Sequence, residues 1–192
     1  MYKRWLQALN DMRTISTIGL LILFSCGGQS GSVNKDFAEL RDKLPTIETP
    51  ISFNSNGDIG LGPADIADNK LLKNLKEQSY FSVFGKIFES EDFITIIGYI
   101  PNDTGTPLLV TFDKTGTQTS SWAAYGTAMG DMGRYTSNFV TIDRDRTIHF
   151  VDSTVTRKIN QDGTDEIPGT DSLTVTTKKY RLTDKGTIES VD

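Results

Sequence analysis

Two periodicities divide the chain. In residues 35–44 (KDFAELRDKL), Phe37, Leu40 and Leu44 recur at helical spacing, which predicts an amphipathic helix that Pro45 stops. Residues 64–77 (ADIADNKLLKNLKE) put Ile66, Leu71, Leu72 and Leu75 on one broad face behind Pro63, predicting a second short helix. Between them, Thr46 to Pro63 is rich in proline, glycine and polar residues and reads as loop, with room for a short strand around Ile51–Phe53. From Gln78 the period falls to two. Phe81, Val83 and Ile87 alternate with Ser82 and Lys86, and Leu108, Val110 and Phe112 lie on one side of their run. Val140 and Ile142, Ile148 and Phe150, Leu173 and Val175, then Tyr180 and Leu182 continue the alternation, and Ile188 adds a last short segment. Residues 93–100 (FITIIGYI) differ: they are apolar on both faces.

Turn signals separate these runs: Pro101–Gly105, Asp113–Gly116, Asp143–Arg146, Gln161–Gly163 and Thr183–Gly186. Asp and Asn side chains bond the backbone ahead of them, and glycine supplies a positive φ. Successive antiparallel hairpins follow. Nineteen of the twenty-four threonines fall after Pro101, and β-branched residues of mixed polarity suit solvated strand faces. The expected fold is mainly β: an antiparallel meander of about eight strands, as a barrel or a strongly bent sheet, preceded by one or two short helices. The turn spacing is uneven, so no true repeat is inferred.

The N-terminus follows another logic. Lys3, Arg4 and Arg13 flank an apolar run, Ile15–Phe24, that is too short to span a bilayer stably. Leu23-Phe24-Ser25-Cys26 closes it and resembles a bacterial lipobox, with an aliphatic residue three places before the cysteine and a small one directly before it. Met12 is an alternative start, giving the signal MRTISTIGLLILFSC. The resemblance implies cleavage before Cys26, a diacylglycerol on its thiol and an acyl chain such as palmitate on the new amine. Two or three chains anchor stably where one holds marginally. A buried cysteine in a helix is the competing reading, and Gly27-Gly28 would break that helix. Gly27 to Ser32 reads as a flexible tether.

The expected organisation is therefore a signal peptide (1–25), a tether with lipidated Cys26 (26–34), a helical and loop segment packing on the sheet (35–77), and an antiparallel β domain (78–192). The formal charge sharpens accordingly, from −5 for the whole chain to −7 for residues 26–192. That balance argues against nucleic acid, which selects a concentrated basic face. One cysteine excludes an internal disulfide, and one histidine excludes a multi-histidine zinc site. No metal or other cofactor is expected.

Candidate chemistry is sparse. His149 alternates with Ile148 and Phe150 and so points away from the core; no Gly-x-Ser-x-Gly accompanies it. The loop Asn160-Gln-Asp162-Gly163-Thr-Asp165-Glu166 gathers oxygen ligands around a glycine, yet it lacks the EF-hand spacing and is composed as hairpin loops are. Residues 121–135 hold Trp122, Tyr125 and Tyr135 beside Gly126, Gly130, Asp131 and Gly133. Aromatics beside a glycine-rich loop can stack on a sugar or peptide, so Trp122, Tyr125, Asp131 and Tyr135 form the candidate ligand region, against the plainer reading of core filling. Asp152-Ser153-Thr154 and Asp171-Ser172-Leu173 resemble the short O-glycosylation acceptor of Bacteroidota, which implies glycans on Ser153 and Ser172.

With its lipobox, its Gly/Ser tether and hairpins such as LLVTFDKTG and VTIDRDRTIHFVDST, the chain resembles the uncharacterised small lipoproteins common in Bacteroidota. The resemblance implies a lipid-anchored protein of the bacterial cell envelope, at the outer membrane, with its folded body in the periplasm or on the cell surface. The expected function is a non-enzymatic binding module for an envelope protein, glycan or small ligand. The alternatives are a lipocalin-like carrier of an apolar molecule, or a hydrolase using carboxylates such as Asp131, Asp143 or Asp152.

Overall fold

The computed structural model describes residues 33–191 apart from 58, 67–68, 80, 102–104 and 126–129. The signal-like segment, Cys26 and the tether to Ser32 lie outside the described residues.

Asn34 opens helix α1 (Lys35–Lys43) by accepting the Asp36 and Phe37 amides on its side-chain oxygen, at 2.8 and 3.3 Å. Such a cap contributes about 1 kcal/mol. Helix α2 (Lys70–Ser79) begins later than the spacing predicts. Ala64 instead donates its amide to the Val83 carbonyl at 2.7 Å, which lays this stretch against a strand. Asn69 then starts the helix. Its Oδ1 accepts the Leu71 amide at 3.0 Å, while its Nδ2 donates to the Asp36 carbonyl at 2.7 Å and ties the two helices together.

The described strands form two antiparallel sheets. Strands β2 (Ser82–Glu89), β3 (Phe93–Ile100), β4 (Thr106–Asp113) and β5 (Gln118–Ala123) make a four-stranded meander. In the second sheet β1 (Ile51–Asn54) pairs with β6 (Arg134–Ile142), followed by β7 (Thr147–Thr156), β8 (Ser172–Leu182) and β9 (Ile188–Ser190). Three layers result: helices, four-stranded sheet, five-stranded sheet. On the helix side Phe37, Leu40 and Leu72 pack on Ile94, Ile96 and Val110. On the other side Ile97 and Leu109 meet Phe53, Val140, Ile142 and Ile148.

The strands are not closed into a barrel, nor do they form one bent sheet. The two-faced apolar run at 93–100 is the physical reason. A strand buried on both sides needs a layer over each face, and the helices and the second sheet supply them. Even the polar pair inside this sheet is matched: Thr95 and Thr111, opposite one another, share a buried hydroxyl–hydroxyl bond of 2.9 Å. Gly98 sits where the backbone of Ser82 comes so close that a Cβ would fall 2.1 Å from its carbonyl oxygen.

Four turns share one geometry. The amide of the fourth residue donates to the carbonyl of the first in Asp113–Gly116, Asp143–Arg146, Asn160–Gly163 and Thr183–Gly186. The fourth residue has positive φ each time, and only Arg146, at 67°, is not glycine. That conformation costs a side-chain-bearing residue about 1 kcal/mol. The Arg146 guanidinium is held meanwhile by Asp184 at 3.0 Å and lies over the Phe93 ring.

Candidate functional site

The two sheets are unequal in reach. Along the inward face of β6, Ile142, Val140 and Asn138 are buried, Thr136 is half-buried and Arg134 is exposed. On β8 every residue from Ser172 to Lys179 is exposed, so neither face of that stretch is covered. The core shared by the sheets takes Val140, Ile142, Ile148, Phe150 and Tyr180 but nothing from the far ends of β6, β7 and β8. Those ends project as a three-stranded ribbon.

Its inward face carries a polar groove of about 440 Å³, lined by Arg134, Phe150, Asp152, Thr154, Thr174 and Lys178 among others. Thr154 hydrogen-bonds Thr136 at 3.0 Å and donates to Asp152 at 2.9 Å, so the groove floor is an ordered chain of hydroxyls. The outward face is the more apolar one. Register sets Tyr135, Val155 and Leu173 in one row, Ser137, Ser153 and Val175 in the next, and Phe139, Val151 and Thr177 in a third. Leu173 is 63% exposed, Val175 54%, and Tyr135 and Phe139 46% each. The usual alternation of apolar inside and polar outside is thus reversed here. Ordinary solvated sheet faces do not collect large apolar side chains in register.

An ionic clasp fixes the ribbon tip. The Arg157 guanidinium bonds Asp171 at 2.7 Å and Glu166 at 3.0 Å, and lies over the Tyr135 ring. Glu166 also accepts the Gly133 amide at 2.8 Å and the Tyr135 hydroxyl. These bonds, from Tyr135 first and then Arg157, hold the Glu166 carboxyl below its ordinary range. Bonding to Asp171 and then Glu166 raises Arg157, and the bond to Glu166 raises the Tyr135 phenol. Sequence reading missed Arg157, Glu166 and Asp171 as a unit, because a fifteen-residue connection (157–171) separates β7 from β8 and only folding joins its ends.

The sequence-derived candidates fall in several places. Trp122, on β5, is half-buried with its ring tilted on Tyr180 at 5.4 Å. Tyr125 is buried in the inter-sheet core, and burial pushes its phenol up to about 12. Its hydroxyl has no hydrogen-bond partner among the described residues. Asp131 closes a tight turn, accepting the Met132 amide at 2.8 Å, and Tyr135 stands on the ribbon. Trp122 and Tyr125 therefore belong with the core, and Asp131 and Tyr135 with the ribbon; Gly126 lies outside the described residues. Ser153 occupies the middle of β7 between Ser137 and Val175, whereas Ser172 is exposed at the start of β8.

His149 is half-exposed, with Nε2 3.2 Å from Asp143. Asp131, Asp143 and Asp152 each take a local partner, and none of these contacts joins two of them. In the loop at 160–166 the Asn160 side chain accepts the Thr164 and Asp165 amides, and Glu166 turns to Arg157. Among the described residues no three His, Cys, Asp or Glu side chains are grouped to hold a metal ion. A second polar hollow, of about 560 Å³, collects Arg144, Arg146 and Arg181 with Asp145 and Asp184 at the opposite end of the sheet.

Comparison of the chain with protein-family models, with curated proteins and with solved structures finds no match.

Proposed function

We propose that the protein is a lipid-anchored module of the bacterial cell envelope that acts by binding, through the projecting ribbon of β6, β7 and β8. The lipobox-like sequence ending at Cys26 and the tether after it support the anchored address. The observation that carries the binding role is the ribbon itself, whose β8 strand is exposed on both faces, with large apolar side chains outside and a hydroxyl-lined groove inside. Chain that only stabilises a fold gains by being covered; this part gains little for folding and is nonetheless ordered by the Arg157 clasp.

Two measurements test the reading. Labelling growing cells with an alkyne-tagged fatty acid should mark the wild-type protein and leave Cys26→Ser unmarked; equal labelling of both removes the anchor. A photo-crosslinking amino acid at Leu173 or Thr176 should give covalent adducts in intact cells, where one at Asp42 on α1 gives none. Equal yields at the three positions would remove the ribbon as the binding surface.

A further inference from the structure

We propose that the arginine-rich hollow at the end of the five-stranded sheet opposite the ribbon is a binding site for the phosphoryl group of a phosphate ester. Arg144, Arg146 and Arg181 line it, beside Asp145 and Asp184. Arg146 is already committed: it bonds Asp184 at 3.0 Å and lies over the Phe93 ring. Arg144 donates its Nε to the Thr49 carbonyl at 2.8 Å, which fixes the side chain and leaves the two outer nitrogens of its guanidinium for a ligand. Arg181 stands opposite Glu189 in the β8–β9 register, yet Glu189 accepts the Thr187 hydroxyl at 3.0 Å. Asp145 is engaged by its own turn, accepting the Thr147 amide at 3.1 Å. Its carboxyl is held below the ordinary range by the Thr147 backbone and side chain first, and then by the charges of Arg181 and Lys179. Among the described residues no carboxylate forms an ion pair with Arg144 or Arg181.

These two guanidiniums set the ligand class. Each is a planar fork of donors with a permanent charge, a geometry that matches the oxygens of phosphate. One fork satisfies a carboxylate, whereas a phosphoryl group has oxygens for two. The hollow, at about 560 Å³, exceeds what a bare anion needs and falls in the range of small-molecule sites, so the rest of the ester has room. Residues 26–192 carry a formal charge of −7, so an anion is held here by these local contacts rather than by the general field. The hollow also lies where the chain enters the body. Asn34 donates its amide to the Lys114 carbonyl at 2.8 Å, in the turn begun by Asp113. Asp113 is opposite Phe93 in the sheet, and the Phe93 ring carries Arg146. Cys26 precedes Asn34 by eight residues, and a chain of that length reaches at most about 29 Å. That reach makes a phospholipid headgroup of the anchoring membrane the first source to test, ahead of a soluble phosphate ester. The choice of source rests on the anchor at Cys26; the site itself does not.

The test uses the full chain in a phosphate-free detergent and equilibrium dialysis with radiolabelled inorganic phosphate at constant ionic strength. The wild type should bind with a dissociation constant below about 1 mM. Arg144→Gln combined with Arg181→Gln should weaken binding at least about tenfold with the thermal melt unchanged, because both side chains are exposed. Arg181→Lys, which keeps the charge and loses the fork, should weaken it too. No binding up to about 1 mM phosphate overturns the proposal, as does an affinity indifferent to the double substitution. A second arm separates the sources. In vesicles of phosphatidylcholine, headgroups should compete and lower the phosphate affinity at least about fivefold, relative to vesicles of an uncharged galactolipid. Equal affinity in both vesicles refutes the headgroup and assigns the site to a soluble phosphate ester. Loss of the anchor is read separately, by the fatty-acid labelling of Cys26, and leaves the phosphate arm unaffected.

Discussion

The β3–β4 hairpin and the outer half of the β7–β8 hairpin are built by the same local rules and placed in opposite surroundings. Both are antiparallel, both keep an unbroken register, and both are closed by connections rich in Asp, Asn, Gly and Thr. Yet β3 and β4 are buried on both faces, while β8 is exposed on both from Ser172 to Lys179. The difference lies in what the alternate positions offer. Ile94, Ile96, Ile97, Leu109 and Val110 reward two covering layers. Thr174, Thr176 and Lys178 reward none, and their outward neighbours Leu173 and Val175 stay exposed. One hairpin holds the molecule together; the other presents a surface.

Substitution breaks this contrast most sharply. Ile97→Ala should destabilise the fold by about 2–5 kcal/mol in a denaturant titration, since it removes buried methyl groups from a position sealed between two sheets. Leu173→Ala should change stability by no more than about 0.5 kcal/mol, because that side chain is already in water. Comparable losses for both would mean that the ribbon is part of the core after all.

A smaller effect tests how completely the central sheet is satisfied. Thr95→Val deprives the buried Thr111 hydroxyl of its partner and should cost about 1–3 kcal/mol by thermal melting. The double variant Thr95→Val with Thr111→Val should recover most of that loss, as paired removal of matched polar groups is nearly neutral. A double variant as unstable as the two singles combined would refute the shared bond.

The ribbon tip should respond to acid, with the smallest effect of the three. Glu166 is held below its ordinary value when folded, so its contribution is complete above the unfolded value near 4.5 and is lost as pH falls through the lower folded one. Hydrogen exchange at the Gly133 amide should therefore lose protection, relative to the Ile97 amide, as pH drops below about 4.5. Glu166→Gln should abolish that differential. Because Arg157 and Asp171 are nearly half-exposed and the clasp lies apart from both core clusters, global stability should hardly move.

Much of the local structure was legible without coordinates. Helix α1, the bounds of β3 and the turns Asp113–Gly116, Asp143–Arg146 and Thr183–Gly186 follow from spacing, two-faced hydrophobicity and Asp/Gly chemistry, while residues 102–104 of the turn expected at Pro101–Gly105 lie outside the described residues. Strand β5 was not, because QTSSWA lacks apolar alternation and acquires its pairing from β4. Neither was the start of α2, where a backbone bond from Ala64 to Val83 overrides a helical pattern. The candidate region around residues 122–135 was read as one loop. Tertiary structure divides its aromatic residues, sending Trp122 and Tyr125 to the core while Tyr135 stays on the ribbon.

The sequence by itself determined the elements: which stretches turn, which alternate, and which strand must be covered on both sides. Those properties are local, set by side-chain branching, backbone freedom and the two-residue period. Only the tertiary structure decided that the strands divide into two sheets of unequal reach and that Arg157 closes on Glu166 and Asp171. It also decided that, among the described residues, no strand covers the edge of β8 away from β7 beyond its short pairing with β9. Pairing and coverage depend on distant stretches competing for the same apolar surface, and no local pattern records which of them prevails.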